Sequence, residues 1–125
     1  MQWGDMDALG HVNNTCYFRW FESARISFFL RVGVVADEAT SMGPILATTT
    51  CNFLRPLAYP GDLVVGARVP KVGNTSFVME YALALAEAPD EPCATGSGVI
   101  VLVDYKTGEK QRVPDSIRDA IAALG

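Results

Sequence analysis

Residues 5–14 read DMDALGHVNN, and the chain then turns strongly apolar and aromatic through residue 31. Within that second stretch Tyr17, Phe21, Ala24 and Phe28 recur at helical spacing, and Phe18, Trp20 and Phe29 widen the stripe. The pattern predicts a helix from about Thr15 to Arg31. Asn13 or Asn14 is the natural N-cap, because its side chain can accept from the first free backbone N–H groups. Gly33 is the stop signal. A stripe this broad predicts cover on more than one side. Glu22 stands three residues from both Arg19 and Arg25, so local ion pairs are expected there.

Beyond the helix the period changes to that of strands. ILATTTCNFLRPLAY is rich in threonine and aliphatic residues and is broken by Pro56 and Pro60. DLVVGARVPKV follows a turn at Pro60, Gly61 and Asp62; Pro70 cannot donate to a ladder, so this strand is expected to be bulged or at an edge. After a GNT turn, SFVMEYALALAEA alternates, with Phe77, Met79, Tyr81, Leu83 and Leu85 on one face and Ala82, Ala84 and Ala86 on the other. The alanines would let another layer or subunit approach closely. PDEP makes the next turn, CATGSGVIVLVDY is the last long strand, and TGEK closes it. A short helix is expected from near Pro114, with Ile117, Ile121 and Leu124 on one face. Four strands joined by tight turns imply an antiparallel sheet. The fold class is α+β: a curved antiparallel sheet wrapped around one long central helix.

Bulk numbers narrow the function classes. The 125 residues suit one domain spanning 1–125, and a hydrophobic share of 50% excludes a disordered chain. The net charge of −4 and the lack of a basic run argue against nucleic acid as a partner. Cys16, Cys51 and Cys93 are odd in number and widely spaced, which fits buried thiols in a reducing cytosol rather than disulfides or a metal site. No run approaches the ~20 apolar residues of a membrane helix and nothing resembles a signal peptide, so a cytoplasmic protein without membrane insertion is expected. The chain opens at Met1, almost inside the polar cluster; an upstream strand lost to start-site assignment is the expectation.

Several chemistries lack their motifs. There is no GxGxxG or Walker loop, and Ser97 lies in Gly96-Ser97-Gly98, which is not a GxSxG elbow. One histidine and dispersed cysteines do not make a usual zinc site. Carboxylates, amides and backbone groups must carry any reaction. Asp7 sits in a loop leading into a helix whose first N–H groups are free and partly positive. A carboxylate there can attack a carbonyl or activate water while the amides hold the developing oxyanion. That pair suffices for a thioester, since a thiol of pKa ~8.5 leaves without strong acid assistance. Plainer roles stand beside this one. Asp7 also suits a turn or cap, Asp5 a solvated position, and His11 a loop residue bonded to backbone. Asn13 and Asn14 are caps by default, Gly10 supplies a backbone angle other residues avoid, and Tyr17 is core before it is pocket lining.

The segment GDMDALGHVNNTCYFRWFESAR resembles the signature of the hotdog-fold acyl-CoA thioesterases, closest to the 4-hydroxybenzoyl-CoA thioesterase-like branch. CNFLRPLAYPGD matches that branch's second strand and turn, and the likeness runs over essentially the whole chain. The resemblance implies a hotdog fold, edge-to-edge homodimers that can pair into homotetramers, and a site at the subunit interface. It implies hydrolysis of an acyl-CoA to carboxylic acid and coenzyme A, with no metal and no cofactor beyond the coenzyme A of the substrate. Asp7 falls on the catalytic carboxylate, as nucleophile or general base. Asn14 falls on the helix-start position whose backbone N–H polarises the thioester carbonyl. Gly10, His11, Asn13 and Tyr17 fit the GHVNNxxY pattern and would line or brace the pocket. Some relatives place a carboxylate near the site at the position of Glu22. The short N-terminus departs from the pattern, since it curtails the strand that supports the catalytic loop.

Two rival readings share the fold. A hydratase or dehydratase of this architecture uses a GDxNPxH-like segment; here Asp7 and His11 have three residues between them and no Asn-Pro pair. A non-catalytic acyl-CoA-binding module needs only the apolar pocket. Arg55, Arg68 and Lys71 are candidates for the coenzyme A phosphates, or else solvated surface charges.

Overall fold

The structure is a computed structural model, and it describes residues 14–34, 42–57 and 61–124. Helix α1 runs Asn14–Val32 and is followed by strands β1 (Met42–Phe53), β2 (Leu63–Val72), β3 (Ser76–Leu85) and β4 (Ala94–Asp104), then helix α2 (Asp115–Leu124). The four strands form one antiparallel sheet in the order β1-β4-β3-β2. The hairpins β2–β3 and β3–β4 follow the tight turns read from the sequence. The β1 strand crosses over to the far side of β4, so β1 and β2 are the two edges among the described strands.

The core lies between one sheet face and α1. Phe77, Met79, Tyr81 and Leu83 alternate inward from β3 and are fully buried, as the period of two predicts. Tyr17, Phe21 and Phe28 meet them from α1. Gly96 on β4 explains how the helix comes so close. A Cβ at Gly96 would stand 2.5 Å from Phe21 Cε2 and 2.6 Å from the Thr50 carbonyl oxygen. The Phe21 ring therefore lies directly on bare backbone, and it stacks on Tyr81 with centroids 4.9 Å apart. Gly96 is a docking notch for the helix, and Ser97 points to the opposite face, where its Oγ lies 2.8 Å from Thr50 Oγ1.

Several expectations need correction. Strand β1 begins at Met42 and ends at Phe53, before Pro56, because the Leu54 and Arg55 N–H groups turn to the Cys93 carbonyl. The alanines of β3 do not share one environment: Ala82 is exposed but Ala84 is buried. The described sheet covers α1 on one side only, and Phe18, Ile26 and Leu30 stay exposed on it. Leu124 is 45% exposed while Ile117 and Ile121 are buried, since the last turn of α2 runs past the sheet. The expected Glu22–Arg25 pair gives way to a tertiary contact. Arg25 is only 9% exposed and its Nη1 donates to Tyr81 Oη over 3.3 Å.

Other local readings hold. Gly33 closes α1 in the left-handed conformation with φ 83°, and the Gly33 and Val34 N–H groups both reach the Phe29 carbonyl. Pro70 lies on an edge strand, at a register break between Arg68 and Lys71. Helix α2 starts just after Pro114, whose carbonyl accepts from Ile117 and Arg118. Among the described residues no helix is long and apolar enough to cross a membrane.

Candidate active site

Asp7, Gly10, His11 and Asn13 lie outside the described residues. Asn14 is the first residue of α1, so its backbone stands where the sequence placed the helix start. The first N–H groups of a helix have no intrahelical acceptor and carry partial positive charge. No acidic residue occupies the first turn of α1.

One turn further on, Tyr17 is 2% exposed. Its ring meets Phe53 edge-on at 4.8 Å and Trp20 at 5.6 Å. Tyr17 and Trp20 come from α1, and Phe53 ends β1, so this aromatic cluster joins segments far apart in sequence. Among the described residues the Tyr17 hydroxyl has no hydrogen-bond partner. Burial pushes its phenol above the ordinary value, and the neighbouring Cys93, Cys51 and Cys16 thiols push in the same direction. Tyr17 is therefore a neutral O–H donor at physiological pH. It is a core residue, the role the sequence put first.

All three cysteines are free, and each, where ionised, raises the Tyr17 phenol further. The thiol of Cys51 is itself raised by burial. A raised thiol stays protonated and is a poor nucleophile. Among the described residues no three histidine, cysteine or acidic side chains converge as metal ligands.

Trp20 and Phe53 were not singled out as ring partners of Tyr17 from the sequence. Trp20 sat inside a broad aromatic run, and Phe53 lay in a strand whose end the prolines obscured. Their signal is spatial: only the β1 path places Phe53 over the start of α1. The candidate phosphate ligands also separate. Arg55 pairs with Glu91 at 3.2 Å and Arg68 with Glu80 at 2.8 Å, both on the surface. Lys71 has no such partner among the described residues.

A family profile described as "Thioesterase-like superfamily" matches residues 1–121. A putative thioesterase from Pseudomonas aeruginosa is 35% identical, superposes with a TM-score of 0.87, and is matched over 100% of this chain and 93% of that one. A thioesterase from Thermus thermophilus, solved as a complex with coenzyme A and zinc, is 32% identical with a TM-score of 0.82, over 99% of this chain and 88% of that one. The chloroplastic acyl-acyl carrier protein thioesterase ATL3 of Arabidopsis thaliana is 31% identical over 117 residues, which are 91% of this chain and 60% of that protein.

Proposed function

This chain belongs to the thioesterase-like superfamily with the hotdog fold, and we propose that it hydrolyses acyl-CoA thioesters to a carboxylic acid and coenzyme A. The observation that carries the reading is the start of α1. It opens at Asn14 with no acid in its first turn, one turn from the packed Tyr17–Trp20–Phe53 aromatic cluster. The acyl group lies beside this aromatic cluster, and the Asn14 backbone N–H polarises the thioester carbonyl.

Asp7 supplies the electron pair. As nucleophile, its carboxylate forms a C–O bond to the acyl carbon, the C–S bond breaks, and water then cleaves the mixed anhydride. As general base, it takes a proton from water while the water oxygen bonds the acyl carbon. In both routes the thiolate leaves with the C–S electron pair and takes a proton from solvent. A developing oxyanion held by preorganised amides is worth roughly 3–4 kcal/mol per donor in comparable sites. Gly10 shapes the loop, and His11 and Asn13 brace it. Tyr17 offers its O–H to the acyl side of the pocket. Two copies pair through β1, whose outer edge is free among the described strands and carries exposed Ile45 and Leu46.

A thiol-release assay across short, long and aromatic acyl-CoA esters tests the proposal, with Asp7→Asn as comparison. Turnover in the parent chain, reduced by about three orders of magnitude in the variant with folding intact, is the expected result. Release by the variant at the parent rate removes Asp7 from the mechanism. Binding of acyl-CoA without thiol release would establish a carrier module instead, and water addition to an enoyl-CoA a hydratase.

A further inference from the structure

A cleft of about 550 Å³ lies between the last turns of α1, the C-terminal half of β2, and α2. Small-molecule sites typically measure about 300–1,000 Å³, so the cleft is large enough to be one. Its floor is apolar and includes Phe28, Val69 and Ile121. Arg31, Arg68, Lys71 and Arg118 line it, and among the described residues no acid does. These are four of the chain's ten lysines and arginines, on a protein of net charge −4.

The four cations are not equivalent. Arg68 pairs with Glu80 over 2.8 Å. Arg118 is half-buried and held by neutral acceptors only. Its Nε donates to the Val113 carbonyl at 3.0 Å, and its Nη2 to those of Gly73 and Asn74 at 2.7 and 3.1 Å. A guanidinium carries five N–H donors, so these bonds fix the group and leave the two N–H groups on Nη1. They do not cancel its charge, and a charge drawn out of water without an opposite partner is costly. Arg31, in the last turn of α1, and Lys71, at the β2 register break, are exposed and make no ion pair among the described residues. Water already solvates those two. One fixed charge beside an apolar floor therefore remains to be balanced. An inorganic anion would meet the charge and leave the floor wet. A neutral apolar molecule would cover the floor and leave the guanidinium without a counter-ion.

We propose that this cleft binds an organic monoanion of one class, a carboxylate carried on an apolar body. The carboxylate accepts from Nη1 of Arg118, and the exposed Arg31 and Lys71 side chains approach it from the solvent side. The apolar body lies on Phe28, Val69 and Ile121. The two adaptable cations let the head vary in position while Arg118 fixes its end of the cleft. The assignment stands on the cleft alone. An acid of this class is also what acyl-CoA hydrolysis would release, but neither reading requires the other.

Titration calorimetry of the full chain with sodium decanoate, kept below its micelle concentration, tests this without any turnover. Decanoate should bind. Acetate should bind about a hundredfold more weakly or worse, for want of buried methylenes, and decanol about tenfold more weakly, for want of charge. Arg31→Glu with Lys71→Glu should weaken decanoate binding by about tenfold or more. Lys106→Glu with Lys110→Glu, an equal charge change at residues that do not line the cleft, should leave it unaltered. All four of these side chains are exposed, so both double variants should fold. Val69→Thr, which keeps the shape of the floor and adds a hydroxyl, should weaken decanoate and decanol by the same factor. No decanoate binding, inorganic phosphate bound as tightly as decanoate, or equal losses in the two double variants overturns the assignment. No thioester takes part, so decanoate bound by a chain that releases no thiol leaves the cleft standing and only the hydrolysis proposal falls.

Discussion

Replacing Gly96 with alanine probes the closest approach in the fold. The added Cβ would stand 2.5 Å from Phe21 Cε2, 3.1 Å from Phe21 Cδ2, and 2.6 Å from the Thr50 carbonyl oxygen. Ordinary carbon contacts lie at about 3.5–4.0 Å, so roughly 1 Å must be recovered. The Phe21 ring is 0% exposed and stacked on Tyr81 at an interplanar angle of 12°, so it has no vacant rotamer to enter. The Thr50 carbonyl belongs to β1, paired in register with β4 through Cys51 opposite Gly96, so it retreats only by opening the ladder. Overpacking of this kind costs about 1–3 kcal/mol. Alanine restricts the unfolded chain more than glycine does, which offsets about 0.4–1 kcal/mol. The net expectation is a loss of about 1–2 kcal/mol, or a Tm drop of roughly 3–10 °C for a chain of this size. Urea unfolding and calorimetry measure it, with Gly66→Ala as control because a Cβ there meets nothing within 4 Å. A Gly96→Ala chain as stable as the control would refute the docking-notch account. A smaller penalty for the same change in a Phe21→Leu background would show that the ring carries part of the clash.

Two further outcomes follow from the geometry. Arg118→Ala should cost about 1.5–3 kcal/mol, because it strips three carbonyls at the β2–β3 turn and ahead of α2 of their charged donor; a loss under about 0.5 kcal/mol in urea unfolding would contradict this. Tyr17 and Cys51 both have raised values in the folded chain, chiefly through burial. Each holds its proton longer folded than unfolded, so its contribution is complete below the ordinary thiol and phenol ranges (about 8.5 and 10) and is lost as pH rises through the raised values. Tm should fall from about pH 8.5 upward, and Tyr17→Phe with Cys51→Ser should flatten that fall; an unchanged slope would reject the assignment.

Local patterns were the legible part. The spacing of Tyr17, Phe21 and Phe28 located α1 to within a residue at each end, because a helix needs only neighbours three and four apart to define its buried stripe. Alternation along Phe77 to Leu83 located β3 and its inner face for the same reason. Gly33 and Pro114 marked helix limits through backbone angles that belong to single residues. The resemblance carried by residues 4–25 pointed to the family, since its motif collects side chains adjacent in sequence.

What tertiary structure alone decided were meetings between distant segments. Nothing near Arg25 in sequence says that its guanidinium leaves Glu22 for Tyr81, 56 residues away. The value of Gly96 lies in a ring from α1 and a carbonyl from β1, neither of which touches it along the chain. Three scattered cysteines converge on Tyr17, and cations from α1, β2 and α2 converge on one cleft, only after the sheet takes the order β1-β4-β3-β2. Periodicity reports which side of an element is buried. It carries no information on which other element does the burying, because apolar burial is non-directional and partner choice is set by the packing of the whole chain.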